Sequence, residues 1–316
     1  MTHISPHNKP LVSVLIPVRN GGDYLHSSIT SALAQTYPEI EIIISNNHST
    51  DFSQDIIAGF DKPRIKKIKP PRSLTMTENW NYTLAHAKGK YAVLLGADDI
   101  LHADFVAERI AYHESNPEVF LSSSPHNVID ENGAITSVGD SALRGLLNRE
   151  QLIPLLLQGN PLNILTVFFK IENTESRNTP TFPDQYFSDW ALWLEMILAH
   201  NYVYFFDHIC CDYRIHSASM TSATGTSKWN LEFIKLTSNF FNLHYKQLSS
   251  LGFDREDVQK KQTSNLWLGA QRALRDGEWT TAYQLWSYYR RYHSMLDLIS
   301  GLVNELRHKL PNALKK

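Results

Sequence analysis

Apolar residues in the first 125 positions occur either in short runs or at helical spacing. The short runs predict strands at residues 12–16, 40–45, 65–68, 91–95 and 119–123. Between the first two runs, Leu25, Ile29 and Leu33 recur every fourth residue, which indicates one apolar helix face. Residues 77–88 and 104–115 also have a helical pattern. Strands that alternate with helices predict a mostly parallel α/β sheet with helices on both faces.

Polar residues follow three of these strands at the point where each strand ends. They are Arg19-Asn20, Asn46-Asn47 and Asp98-Asp99. Ligands of open α/β sheets bind beyond the carboxyl ends of the strands, so we expect these residues to line one crevice. Two adjacent carboxylates repel each other unless a cation or water takes up the charge. The pair predicts a metal or phosphate site, and the alternative is that one Asp only caps the following helix.

Beyond residue 126 the alternation of strands and helices breaks down. Residues 130–133 (DENG) predict a hairpin turn, residues 165–170 and 202–215 are strand-like, and residues 148–158 and 186–200 are helical. From residue 228 onward the pattern is helical almost throughout, with a helical hairpin at 268–291. An aromatic stripe within this hairpin predicts core packing rather than a ligand platform. It consists of Trp279, Tyr283, Trp286 and Tyr289.

The composition is that of an ordinary globular protein, with 42% hydrophobic and 20% charged residues among 316. The net charge of -2 gives no overall basic field, so we expect no nucleic-acid partner. Residues 228–316 carry a net charge of +6, which favours solvated helix faces. The alternative is peripheral contact between these basic helices and an anionic membrane surface.

Cys210 and Cys211 are the two cysteines of the chain and are adjacent. Disulfide geometry does not fit so short a span, and no ligand spacing around them indicates a zinc site. They are predicted to be small apolar strand residues in a reducing compartment. Residues 1–10 are predicted to be a flexible arm without a signal-peptide pattern, and no apolar run approaches ~18 residues. We therefore predict a cytoplasmic protein, with the inner face of the membrane as an alternative location.

Four segments in order resemble the inverting glycosyltransferases of family 2, which have the GT-A fold. They are residues 12–51, 79–101, 188–196 and 213–221. The resemblance implies a GT-A domain over 11–227, with a nucleotide-binding half (11–125) and an acceptor half (126–227), followed by a C-terminal helical region (228–316). It also implies sugar transfer from a nucleotide-sugar donor to a hydroxyl of a saccharide or lipid-linked acceptor.

The resemblance implies that Asp99 holds Mg²⁺ or Mn²⁺ and that Asp98 faces the ribose of the donor. Oxygen ligands and substrate phosphates suit these hard cations. Arg214 and His216 match a motif near the diphosphate, where Arg suits phosphate and His can complete the metal shell. Gly96 stands where many relatives have a third acid, which we do not expect to abolish metal binding.

The resemblance implies that the nucleoside is contacted by residues at the ends of the first and second strands and by the helix at 77–88. Asn47 stands where the family has an Asp that accepts a hydrogen bond from uracil. The Asn47 carbonyl can also accept this bond, so uridine is expected first, with guanine or thymine nucleotides as alternatives. The remaining predicted nucleotide-binding residues are Pro17, Arg19, Asn20, Asn79 and Asn81.

Asp189 matches the family's general base, which takes the proton of the acceptor hydroxyl. Ser188 precedes it where the family usually has an acid. A position in the first turn of a helix stabilises the Asp anion and weakens it as a base, so a purely structural Asp is the alternative.

Two other functions remain open from the residues alone. A nucleotidyltransferase-like enzyme also joins an α/β sheet to a metal and a nucleotide, but residues 18–22 are a weak version of its phosphate loop. A non-catalytic module that binds nucleotide or glycan is favoured by the two asparagines at 46 and 47.

Overall fold

The computed structural model describes residues 9–171, 181–183, 187–217, 219, 226–263 and 266–294. The chain separates into two compact units, residues 1–222 and 223–316. Each unit is described by itself.

An eight-stranded sheet forms the centre of the first unit. Its strands are β1 Val12–Val18, β2 Ile40–Asn46, β3 Ile65–Ile68, β4 Tyr91–Leu94, β6 Val119–Ser123, β9 Gly145–Asn148, β10 Phe168–Lys170 and β11 Tyr202–Phe205. The order across the sheet is β3-β2-β1-β4-β10-β6-β11-β9. Strands β3, β2, β1 and β4 pair in parallel, whereas β10 runs antiparallel to both of its neighbours.

A second, four-stranded sheet lies in the same unit. Its strands are β5 Ile100–Leu101, β7 His126–Ile129, β8 Ile135–Gly139 and β12 Cys211–Arg214, in the order β5-β12-β7-β8. The hairpin predicted at residues 130–133 joins β7 to β8. The helices of the first unit are α1 Leu25–Leu33, α2 Ser53–Gly59, α3 Met76–Leu84, α4 Phe105–Ser115, α5 Arg149–Leu156 and α6 Ser188–Ala199.

An almost wholly apolar segment of the chain forms β1, which lies between β2 and β4 in the sheet. Every β1 residue except Pro17 is buried, because neighbouring strands and helices cover both of its faces. The hydrophobic core around β1 includes residues from β2, β4, α1 and α4. The fold confirms the α/β prediction, with a mostly parallel sheet and flanking helices.

The second unit is helical in its described part. Its helices are α7 Thr226–Leu243, α8 Tyr245–Ser250, α9 Arg255–Thr263, α10 Leu266–Arg275 and α11 Trp279–Tyr292. The predicted helical hairpin consists of α10 and α11. Gly277, at the turn between them, has φ +78°, a conformation that favours glycine. Among the described residues of both units, none of the helices combines the length and apolar character needed to cross a membrane.

The prediction of an aromatic core stripe on α11 is wrong for three of its four residues. Trp279, Tyr283 and Trp286 are 72%, 69% and 43% exposed, whereas Tyr289 is 4% exposed. The buried face of α11 also contains Leu285. Three of the four aromatic residues therefore lie beside the buried face. Their spacing alone could not show which face of the helix is buried.

Candidate active site

The carboxyl ends of β1, β2 and β4 lie side by side. Val18 is opposite Asn46 in β2, and the backbone N–H of Asn47 donates to the Val18 carbonyl at 2.8 Å. On the other side, the N–H of Leu95 donates to the Leu15 carbonyl at 2.8 Å. Residues 19–20, 47 and 98–99 therefore leave the sheet at one edge, as the sequence predicts.

Asp99 is a buried carboxylate beside a second carboxylate. It is 3% exposed and accepts a hydrogen bond at 2.9 Å from the backbone N–H of Arg214. Burial, and then the negative charge of Asp98, raise the pKa of Asp99 well above its usual value. A nearby divalent cation would relieve both effects.

Gly96 allows the two acids to fold back over the end of β4. A Cβ at this position would lie 2.8 Å from Oδ1 of Asp98 and closer still to Oδ2 of Asp99. Many relatives have a third acid at this position. In this chain the carboxylates of Asp98 and Asp99 occupy the space that its side chain would need.

Arg214 and His216 both lie against Tyr24, a residue that the sequence analysis missed. His216 Nε2 is 3.1 Å from Oδ2 of Asp98, and its ring centroid is 5.0 Å from that of Tyr24. The Arg214 guanidinium lies 4.7 Å from the Tyr24 ring centroid. The one signal for Tyr24 in the sequence is that it is an aromatic residue soon after the first strand.

The Arg214 guanidinium joins two turns of the backbone. Nε donates to the Asp98 carbonyl at 2.8 Å, and Nη1 donates to the Asp130 carbonyl at 2.8 Å. Arg214 is buried. It thus fixes the turn that contains Asp98 and Asp99, called here the acidic turn, against the β7–β8 hairpin. Its contact with a diphosphate stays a prediction.

Asn47 has internal partners for both polar atoms of its amide. Nδ2 donates to the Leu74 carbonyl, and Oδ1 accepts from the Leu74 N–H, each at 2.8 Å. Arg19, which is exposed, also reaches the Leu74 carbonyl through Nη1 at 3.5 Å. Recognition of a base by Asn47 stays a prediction, and it would have to use the second lone pair of Oδ1.

Asn20 joins the loops that follow β1 and β2. Its backbone is left-handed, with φ +55°, and its Oδ1 accepts from the Thr50 N–H at 2.8 Å. His48, in the second loop, also has φ +52°. Pro17 lies opposite Ser45 and is half-buried. The contacts of Asn20 and Pro17 with a nucleoside remain predictions.

Asn79 and Asn81 on α3 also have internal partners. Oδ1 of Asn79 accepts from the Ser45 hydroxyl at 2.7 Å. The Asn81 amide donates to the Phe182 carbonyl and accepts from the Phe182 N–H, each at 2.8 Å. Asn79 therefore lies near the end of β2, and Asn81 holds the backbone of Phe182 against α3.

Asp189 lies in the first turn of α6, as predicted, and Asn160 lies beside it. Asn160 Nδ2 is 3.3 Å from Oδ2 of Asp189. Asp189 keeps part of its surface exposed, yet the protein packed around its carboxyl raises its pKa to about 6. Asn160 could not be predicted from the sequence, since nothing local connects it to a residue 29 positions later.

Phe187 sets the start of α6 in an uncommon conformation. Its φ of +57° and ψ of +41° are left-handed, which is unfavourable for a bulky residue. Its carbonyl accepts the N–H of Ala191 at 2.8 Å, and the hydroxyl of the next residue, Ser188, donates to the Pro183 carbonyl at 2.6 Å. Such strain persists where surrounding contacts hold it, often at functional sites.

Known proteins provide the identity of this domain. The family described as Glycosyl transferase family 2 matches residues 13–169. The Escherichia coli protein WfaP, a UDP-Glc:alpha-D-GlcNAc-diphosphoundecaprenol beta-1,3-glucosyltransferase, is 30% identical over 215 residues, which are 67% of this chain and 80% of WfaP. This chain belongs to glycosyltransferase family 2. It spans 61% of the length of an uncharacterized glycosyltransferase of Haemophilus influenzae, to which it is 29% identical over 60% of its own length.

Solved structures confirm the GT-A fold of this family 2 glycosyltransferase. S. aureus TarS 1-349 in complex with UDP-GlcNAc has a TM-score of 0.59 at 14% identity, over 90% of this chain and 93% of that one. The mannosyltransferase PcManGT from Pyrobaculum calidifontis, in complex with GDP-Man and Mn²⁺, has a TM-score of 0.52 at 15% identity, over 95% and 88%.

Proposed function

We propose that this glycosyltransferase moves a sugar from a UDP-sugar to a hydroxyl of a saccharide or lipid-linked saccharide, with inversion and with Mg²⁺ or Mn²⁺. The observation that carries the proposal is the buried Asp99 beside Asp98 at the end of β4, with a raised pKa. WfaP uses UDP-Glc and a diphosphoundecaprenol-linked acceptor by its name, and TarS binds UDP-GlcNAc. Both support a uridine donor.

The residues at the acidic turn fit a hard divalent cation. Asp99 and Asp98 offer carboxylate oxygens, and His216 Nε2 lies 3.1 Å from Asp98. When bound, the cation would neutralise the charge that develops on the departing diphosphate. Arg214 keeps the acidic turn in place through its bonds to the backbone.

Asp189 acts as the general base in this proposal. The acceptor oxygen forms a bond to the anomeric carbon as the bond from that carbon to the diphosphate oxygen breaks. The proton of the acceptor hydroxyl passes to the Asp189 carboxylate, and Asn160 orients that carboxylate from 3.3 Å. A pKa of about 6 leaves Asp189 ionised at neutral pH and makes it a stronger base than an ordinary Asp. Burial thus outweighs the hydrogen bonds that the backbone N–H groups at the start of α6 and the Asn160 amide donate to the carboxylate, which lower its pKa.

The nucleoside is bound by the loops that follow β1 and β2. Arg19 and Asn47 converge on the carbonyl of Leu74, which positions them on one side of the crevice. In this proposal the Asn20 backbone and Pro17 contact the nucleoside where β1 ends, and Asn79 holds Ser45 near the end of β2.

Peripheral membrane contact of the second unit is a further part of the proposal. Trp279, Tyr283 and Trp286 are exposed on α11, and Arg290 lies 4.7 Å from the Trp286 ring centroid. Exposed Trp and Tyr beside Arg are typical of membrane-interface helices. Co-sedimentation with anionic vesicles tests this contact. We expect replacement of the three aromatics by Ser to reduce binding, and unchanged binding would contradict it.

The main test is release of UDP from UDP-sugars, measured with Mn²⁺ and after chelation. We expect metal-dependent release in the wild type. Asp99→Asn should abolish metal-dependent donor binding in titration calorimetry, whereas Asp189→Asn should keep donor binding and lose transfer. Donor binding without turnover in any donor screen would favour a non-catalytic module. Normal turnover of Asp189→Asn would rule out its role as base.

A further inference from the structure

Three metal-ligating side chains converge outside the candidate active site. They are Glu108 on α4 and His208 and Cys210 in the connection from β11 to β12. One ligand atom from each lies within 4.8 Å of the other two. We propose that these residues bind a zinc-class divalent cation that is separate from the cation of sugar transfer.

The histidine is oriented as metal-bound histidines usually are. Its Nδ1 lies 3.2 Å from Oδ1 of Asp207, and its Nε2 lies 2.6 Å from Oε2 of Glu108. A ligating His typically donates its second ring N–H to a carboxylate, which fixes the tautomer. When one ring proton is on Nδ1 and is shared with Asp207, the lone pair of Nε2 points to Glu108. A cation bound there would take the place of the proton that Nε2 and Glu108 otherwise share.

The cysteine lies beside a buried cation that favours its thiolate. Arg109 is fully buried, and its Nη2 donates to Sγ of Cys210 at 3.0 Å. Its guanidinium lies 4.8 Å from the Phe105 ring and 3.9 Å from the Phe206 ring. Its Nε and Nη1 have no hydrogen-bond partner among the described residues. A buried guanidinium requires an anion, and the thiolate is the form of Cys that binds metals.

The charges of the site balance with a dication present. The thiolate of Cys210 and the carboxylates of Glu108 and Asp207 contribute three negative charges. Arg109 and a divalent cation contribute three positive charges, and His208 is neutral. The mixed sulfur, nitrogen and oxygen ligands suit zinc, whereas Mg²⁺ and Mn²⁺ prefer oxygen.

The site is accessible and has a structural consequence. The side chains of His208 and Glu108 are 45% and 38% exposed, so an ion can enter from solvent. A bound cation would fix α4 to the start of β12, the strand that ends in Arg214. No zinc site was predicted at the cysteines, because no ligand spacing around them indicates one. Local spacing also could not connect Glu108 to His208, which lies 100 residues later.

The test uses the whole protein after removal of metals with a chelator. Co²⁺ is titrated in, the thiolate-to-cobalt charge-transfer absorption is recorded, and Zn²⁺ is then added as competitor. We expect one Co²⁺ per chain with this absorption, which Zn²⁺ displaces. His208→Ala and Cys210→Ser should remove the absorption and weaken Zn²⁺ binding by at least about 100-fold. Asp207→Asn, which removes only the orienting carboxylate, should weaken binding about 10- to 100-fold.

Asp99→Asn is the matched control, because it removes the predicted ligand of the other cation. It should keep the charge-transfer absorption while losing metal-dependent donor binding, so the two sites can fail independently. If Cys210→Ser does not fold, the partly exposed His208→Ala and Glu108→Gln decide the question. A wild type without charge-transfer absorption, or His208→Ala with wild-type Zn²⁺ affinity, would overturn the proposal.

Discussion

Replacing Asp189 with Asn should stabilise the folded protein at neutral pH while removing sugar transfer. Burial raises the pKa of this carboxyl from 3.8 to about 6, so its ionised form is less stable in the folded protein than in the unfolded chain. That shift corresponds to about 3 kcal/mol at pH 7.5. Because part of the residue is exposed and solvent reduces the penalty, we expect about 1–3 kcal/mol from an amide that keeps the Asn160 contact.

The sign of the effect with pH follows from proton binding. The folded state binds the proton more tightly, so the cost of ionising Asp189 is fully present above pH 6 and disappears as the pH falls below 3.8. The advantage of Asp189→Asn should therefore fall to about half of its value at pH 5 and to a small remainder at pH 4.

Thermal unfolding of both proteins between pH 4 and pH 7.5 measures this. For a unit of this size, each kcal/mol corresponds to a shift of about 2–4 °C in melting temperature. Asp55→Asn is the matched control, since Asp55 is an exposed first-turn Asp of α2. It should destabilise slightly, by about 0.3–1 kcal/mol, through the lost helix-dipole interaction. If Asp189→Asn also destabilises at pH 7.5, the raised pKa and the reasoning from burial are wrong.

Three further predictions concern the same unit. The rate of sugar transfer should fall about tenfold per pH unit below pH 6, as the base becomes protonated; a rate that is flat from pH 7 to pH 4.5 would contradict this. Gly96→Ala should weaken Mn²⁺-dependent UDP-sugar binding in calorimetry by at least about tenfold, because its Cβ meets the two carboxylates. Gly59→Ala, which has open space around it, should not change that binding. Asn47→Ala should cost about 2–4 kcal/mol in urea unfolding because it removes both bonds to the Leu74 backbone and leaves the Leu74 carbonyl with only the long contact from Arg19, whereas Asn47→Asp should cost less since it keeps one bond.

The local pattern of the sequence predicts the parts of the fold that depend on near neighbours. The apolar runs locate β1, β2, β3, β4 and β6, and the parallel pairing of the first four aligns the polar strand ends at one edge. Periodicity does not predict that β10 enters the sheet antiparallel between β4 and β6. Its position depends on pairing with strands that lie about 45 and 75 residues earlier, and no spacing within residues 165–170 encodes that pairing.

The candidate site shows the same division between near and distant contacts. The acidic turn and Asp189 are recognisable because each is a short motif at the start or end of an element. Tyr24 and Asn160 are not, because their relevance comes from contacts with residues far along the chain. The exposed face of α11 was mispredicted for a related reason: periodicity identifies a stripe, but packing decides which stripe is buried.

The asparagines of the predicted nucleotide site suggest why the crevice can be ready for its ligand before the ligand arrives. Asn47 and Asn81 each pair with both backbone groups of one distant residue, Leu74 and Phe182 respectively. A neutral amide can both donate and accept, which a carboxylate cannot do. In the proposed nucleotide site, Asn47 in place of the family's Asp would give up a charged acceptor for a base, and it gains a second bond to Leu74. In that proposal, binding energy that would otherwise order residues 47 and 74 would be available to hold the donor.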